Sequence, residues 1–262
     1  MTSAAHRPVT LLPATAPPLA LPVRPAPRRP ADLRLSQAVH AELAPAVPGL
    51  RRSFVELWRP DAELADRYRR YLRAQHLLAA ASAPLQERAA ERCAEAGVGA
   101  GAREAWAPGL AAYYLRRAER ERDRAGHLLA DLAAAGGPAL LPVVPPLVPP
   151  AVPELIMTQY RLIEQGHPVA LLGALLVLAD SAPALGLAGY LARLTGLPTA
   201  GFHTLREHAD LAGDHLAELE RELDAPPLTD RQRAEVTDGA LRAAGLLARL
   251  FRDLAGGGRA QR

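Results

Sequence analysis

The apolar residues of this chain are mostly alanine and leucine, and this limits the possible folds more than any other feature. Of 262 residues, 49% are hydrophobic but only 4% are aromatic. Strands favour Val, Ile, Tyr and Phe, which fit a pleated surface, whereas Ala and Leu are among the best helix formers. No segment keeps the apolar–polar alternation of a half-buried strand. We therefore predict an all-α fold, a compact bundle of seven or eight helices.

Proline and glycine divide the chain into a central domain and two tails. Residues 1–30 are rich in Pro, Ala and Arg and predict a disordered leader, residues 31–255 predict the helical domain, and residues 256–262 predict a disordered tail. Pro84 predicts a break between two helices, and the prolines from Pro138 to Pro153 predict an extended connector. Helices are predicted at about 32–43, 61–76, 85–96, 109–135, 154–164, 168–180, 184–195, 200–223 and 230–254.

Composition also argues against several classes of function. The net charge is +3, every basic residue is an arginine, and the arginines alternate with Asp and Glu, so no basic stripe suited to a nucleic acid is present. Cys93 is the single cysteine and cannot form an intrachain disulfide. The most apolar stretch, Val169–Leu178, is about half the length of a membrane-spanning helix. We expect a soluble, cytoplasmic protein that binds neither nucleic acid nor membrane.

Two histidines on one predicted helix are the strongest local signal. His208 and His215 are seven residues apart, so they return to nearly the same helix face two turns apart. Imidazoles so placed can meet ligands from facing helices, as in the metal sites of helical bundles. They can equally be solvated surface histidines, because acidic residues surround them.

A charged run from Glu119 to His127 offers a second candidate set. Its opposite charges can pair at three- and four-residue spacing, which is typical of a solvated helix face. The alternative places Glu121, or Asp123 together with His127, toward the interior as ligands.

Three sequence blocks and two shorter ones follow one another in the second half of the chain. They are Gly166–Gly173 (GHPVALLG), Leu191–Pro198 (LARLTGLP) and Thr204–Leu211 (TLREHADL), followed by Leu223-Asp224 and Pro227–Gln232 (PLTDRQ). From about Tyr71 to Leu254, their order and spacing resemble the bacterial iron-containing redox enzyme family with a heme-oxygenase-like fold. The resemblance implies a bundle of about seven helices and an oxidoreductase of natural-product biosynthesis, related to diiron oxidases and oxygenases.

The resemblance also implies a ligand set, and this chain departs from it. His208 and His215 match two family histidines, but the Asp between them is Ala212, and the Glu expected after the first block is Ala179. An ungapped register places Glu121 on the family Glu and Arg124 on the family His. Arginine has no lone pair for a metal, so a normal diiron site is not expected. A shifted register would instead offer Asp123 and His127.

Three hypotheses follow. In the first, an oxidoreductase holds iron in an altered site made by Glu121, His208 and His215, the two-histidine, one-carboxylate set of non-heme Fe(II) oxygenases, with Arg124 holding an anionic substrate. In the second, the same four residues bind a small molecule or perform acid–base chemistry without metal. In the third, the protein is a non-catalytic partner of an intact homologue, so a homodimer and a heterodimer are both open.

Overall fold

The computed structural model describes residues 33–100, 104–137 and 148–256, without the side chains of 97–100. Within these ranges the chain forms helices only, which confirms the all-α prediction. The α-helices are α1 Leu35–Leu43, α2 Val47–Leu57, α3 Leu64–Ala100, α4 Ala107–Ala134, α5 Ala151–Gln165, α6 Ala170–Asp180, α7 Leu187–Thr195, α8 His203–Asp224 and α9 Asp230–Gly256, with a 3₁₀ turn at Thr199–Phe202. The predicted leader, most of the connector and all but the first residue of the tail lie outside the described ranges.

Helix α3 runs through Pro84, so the predicted break is wrong. Proline removes one backbone donor and costs a helix interior about 3 kcal/mol. Pro84 is on the exposed side of α3, while Leu85 and Ala89 continue the buried stripe begun by Leu72. Burial of this stripe along α4, the helix with which α3 makes its longest contact, outweighs the local cost.

Two further predictions about proline-containing segments need correction. Helix α2 was not predicted, because Pro45 and Pro48 interrupt a segment whose buried stripe is short. The predicted connector extends too far, since α5 already begins at Ala151 and Pro153 lies in its first turn. Both Pro48 and Pro153 occupy first-turn positions, where the backbone N–H has no partner within the helix and proline is tolerated. The described residues form nine α-helices, as many as the predicted segments, because the missed α2 offsets the two segments that α3 joins. This is more than the seven or eight helices expected for the bundle.

The centre of the bundle is α6, in which every residue from Ala170 to Val177 is buried. It packs closely against α9, and Gly173 and Gly239 face the partner helix's backbone at the crossing. Helix α8 packs against α6, α3 contacts α9, and α4 packs against both α3 and α8, with a cavity among these helices. Among the described residues, no helix has an apolar stretch long enough to cross a membrane.

Candidate functional site

A cavity of about 280 Å³ opens among α2, α3, α4, α6, α8 and α9. One side is apolar, with Phe54 from α2, Leu178 from α6, and Leu247 and Phe251 from α9. The polar side chains that line the cavity come mainly from α4 and α8. A small molecule with an apolar body and a polar head would match this division.

Helix α4 presents a row of alternating charges to the cavity. Arg117, Glu121 and Arg124 follow one another at steps of four and three residues, so they share one helix face. A guanidinium nitrogen of Arg117 lies 3.5 Å from Oε1 of Glu121, and Nη1 of Arg124 lies 3.4 Å from Oε2. One buried carboxylate is therefore shared between two guanidinium groups. Locally, this leaves one positive charge in excess.

Arg124 and Arg117 differ in their hydrogen bonds. Nη2 of Arg124 donates to Oε1 of Gln75 at 3.2 Å, which links α4 to α3. The Arg117 guanidinium lies beside the buried Tyr113, and within the described residues its Nε finds no hydrogen-bond acceptor. Arg117 thus keeps an unused donor in a largely buried side chain, 12% exposed.

Helix α8 places both predicted histidines on the cavity. His208 lies deep in the bundle with part of its surface open to the cavity, and His215 lies nearer to Arg117 and Arg120. Burial, reinforced by the positive charge of Arg124, lowers the pKa of His208 to about 3. Burial, together with Arg117 and Arg120, also lowers the pKa of His215. Both imidazoles are neutral at pH 7, so they offer lone pairs rather than positive charge.

Ala179 and Ala212, which stand where the resemblance has carboxylates, also line the cavity. A bundle iron site needs several carboxylates with free oxygen lone pairs. Here both oxygens of Glu121 face guanidinium groups. Moreover, among the residues that the structure describes, the ligand atoms of Glu121, His208 and His215 do not gather within 4.8 Å of one another. These residues do not fit an iron ion as they are arranged, and iron at this set stays a prediction.

The residues of the alternative register lie at the cavity mouth. His127 is exposed, with its Nδ1 3.7 Å from Oε2 of Glu207, and Asp123 is exposed one turn earlier on α4. The ungapped register therefore describes the interior, where Glu121 and Arg124 point into the cavity. Asp123 and His127 do not join His208 and His215 inside it.

Three residues of the site, Arg117, Gln75 and Glu207, were not predicted from the sequence. Helical spacing was a sufficient signal for Arg117, because it precedes Glu121 by four residues and therefore shares its face of α4. Gln75 and Glu207 gave no comparable signal, because their place depends on how α3 and α8 pack against α4.

Comparisons with known proteins bear on the fold. No protein-family model and no curated protein matches the sequence. A TenA homolog from Pseudomonas syringae pv. tomato superposes with a TM-score of 0.60 at 13% identity, over 91% of this chain and 97% of that one. A domain of unknown function with a heme oxygenase-like fold, from Shewanella denitrificans, gives a TM-score of 0.56 at 17% identity, over 86% of this chain and 90% of that one. This chain has a heme oxygenase-like fold. At these identities the likeness shows the fold alone, which confirms the predicted fold class.

Proposed function

We propose that the protein binds a small organic anion, a carboxylate with an apolar body, in the cavity without a metal ion there. The observation that supports this most directly is the sharing of Glu121 between Arg117 and Arg124 beside an apolar wall. An anionic head group would neutralise the excess positive charge and accept hydrogen bonds from the guanidinium groups of Arg117 and Arg124. The apolar body would contact Phe54, Leu247 and Phe251.

His208 and His215 supply the possible chemistry of such a site. Because both are neutral, each can accept a hydrogen bond or a proton from a bound molecule. Burial, together with the positive charges of Arg124 and Arg117, holds the pKa of His208 low, and a bound anion would offset those charges and raise this pKa. Ligand binding and proton transfer to His208 are then coupled, which is the acid–base form of this proposal.

The experiment compares three eight-carbon probes of different charge on the purified chain, in the presence of EDTA. We expect octanoate to bind, octanol to bind more weakly and octylamine to bind least, by titration calorimetry and by the shift in Tm. Arg124→Met and Arg117→Met should each weaken octanoate binding about tenfold to a hundredfold, the value of one charged hydrogen bond.

A matched control is available on the same helix. Arg122 is exposed and pairs with Glu87 on α3, away from the cavity residues, so Arg122→Met should leave octanoate binding unchanged. Equal binding of octanol and octanoate, or an Arg122→Met effect as large as that of Arg124→Met, would contradict the proposal.

The oxidoreductase and partner-subunit hypotheses each make a different prediction. If the protein is an iron oxidoreductase, it should bind Fe(II) through His208, and His208→Ala should lose the metal. Such binding would refute the metal-free proposal. A partner subunit would co-purify with a homologue that has the full ligand set, and His208→Ala would leave the activity of that pair untouched.

A further inference from the structure

Three side chains meet at the mouth of the cavity. None of the hypotheses above groups them together. His127 comes from α4, and His203 and Glu207 come from the first turns of α8. Oε2 of Glu207 lies 3.7 Å from Nδ1 of His127 and 4.0 Å from Nε2 of His203. The two imidazole rings contact edge to face, with centroids 5.2 Å apart. Among the described residues, this is the set of His, Cys, Asp and Glu whose ligand atoms all lie within 4.8 Å of one another.

The backbone fixes this juxtaposition. The buried carboxylate of Asp131 on α4 accepts hydrogen bonds from the backbone N–H of His203 at 3.2 Å and of Thr204 at 2.8 Å. The start of α8 is thereby attached to α4 at a defined point. His127 lies four residues before Asp131, on the same face of α4, and Glu207 lies four residues after His203. The three side chains therefore start from positions set by buried hydrogen bonds.

Glu207 is one of the few described acidic side chains that pair with histidine rather than with arginine. Most acidic side chains of the described residues that form ion pairs do so with arginine, as Glu218 does with Arg120. The ion-pair partners found for Glu207 in the described part of the chain are His127 and His203. Imidazoles, unlike guanidinium groups, have lone pairs. The two imidazoles and the carboxylate can therefore direct their lone pairs toward a common cation.

We propose that His127, His203 and Glu207 form a binding site for one divalent transition-metal ion of the Zn²⁺ class. Two imidazoles and a carboxylate are a donor set that Zn²⁺ accepts, with bonds of about 2.0–2.1 Å. In a tetrahedral site such bonds separate neighbouring ligand atoms by about 3.3 Å. The observed 3.7 and 4.0 Å require only small side-chain rotations to reach this value.

Such an ion would lie outside the arginine-filled interior. Three protein ligands leave at least one coordination position for water or a ligand atom, as in catalytic zinc sites. Because His127 and Glu207 also line the cavity, the ion would add positive charge at its mouth. That is the same sign as the excess charge of Arg117 and Arg124.

The test uses the untagged, full-length chain after removal of metals with EDTA and exchange into chelator-free buffer. Titration with Zn²⁺ should give one ion per chain by calorimetry, and Co²⁺ should give visible absorption bands typical of four- or five-coordinate cobalt. At a hundredfold excess over Kd, Zn²⁺ should raise Tm by about 5–10 °C. The absence of saturable binding would overturn the proposal.

Variants locate the ion. His203→Ala and Glu207→Gln alter partly exposed side chains and should preserve the fold, which circular dichroism checks. Each should weaken Zn²⁺ binding by about 100-fold or more, because the loss of a residue that only supports a ligand already costs 10–100-fold. His208→Ala in the cavity and His40→Ala between α1 and α8 are the controls and should leave the Zn²⁺ affinity unchanged. Binding that is lost in His208→Ala but retained in His203→Ala would place the metal in the cavity and contradict the proposal. Octanoate binding in EDTA is scored separately, so the two proposals can fail independently.

Discussion

At the scale of single residues, His208 makes the stability of the protein depend on pH. Burial and the charge of Arg124 lower the pKa of His208 to about 3, whereas an unfolded histidine titrates near 6.5. Below about pH 6.5, His208 binds a proton in the unfolded state but stays neutral in the folded state. The free energy of unfolding therefore falls as the pH falls from about 6.5 toward 3. Between pH 7 and pH 5 we expect His208 to account for a loss of about 2 kcal/mol, measured by urea denaturation.

The comparison of two histidine substitutions isolates this effect. His208→Gln removes the titrating group and should reduce the loss between pH 7 and pH 5. His215, whose pKa is also lowered by burial and by Arg117, will keep part of it. His127→Gln, which changes an exposed histidine outside the buried interior, is the comparison. If His208→Gln and His127→Gln reduce the loss equally, His208 is not buried as a neutral group.

At the scale of secondary-structure elements, Asp131 joins α4 to α8. Its carboxylate is 1% exposed and accepts hydrogen bonds from the backbone of His203 and Thr204 and from the Thr204 hydroxyl. A negative charge also stabilises the N-terminal end of a helix. We expect Asp131→Ala to lower the free energy of unfolding by about 3 kcal/mol, because it leaves these buried donors unpaired.

Two further variants make this prediction specific. Asp131→Asn retains one acceptor oxygen and should cost less than Asp131→Ala. Asp123→Ala removes an exposed carboxylate two turns earlier on α4 and should stay within about 0.5 kcal/mol of the parent. Equal unfolding free energies for Asp131→Ala and Asp123→Ala would show that Asp131 does not hold α8.

Periodicity within one helix was predictable from the sequence, whereas contacts between helices were not. The spacing of Glu121 and Arg124, and that of His208 and His215, correctly indicated residues on shared faces, and all four reach one cavity. The grouping of His127 with His203 and Glu207 depends on the attachment of α8 to α4, which no local pattern shows. Pro84 misled for the opposite reason, since a local rule was overridden by packing along the whole length of α3.

At the scale of the whole molecule, the crossing of α6 and α9 sets the shape of the bundle and of the cavity beside it. A Cβ atom built on Gly173 would lie 1.9 Å from the carbonyl oxygen of Val236, and one on Gly239 would lie 2.6 Å from that of Ala170. The two helices can pack this closely only because neither position has a side chain. The cavity is lined by Leu178 and Ala179 of α6 and by Leu247 and Phe251 of α9. Its width therefore depends on how closely α6 and α9 pack.

Gly173→Ala should therefore separate α6 from α9 and damage the fold and the cavity together. The clash is with backbone atoms, which cannot rotate away, so we expect a loss of about 3 kcal/mol or more in the free energy of unfolding. Gly245→Ala is the control on α9, because an added Cβ there meets nothing within 4 Å and should stabilise the exposed helix by about 0.5–1 kcal/mol. Urea denaturation of both variants measures the difference. If Gly173→Ala is as stable as Gly245→Ala, the helices do not cross at this distance, and the cavity geometry derived from it is wrong.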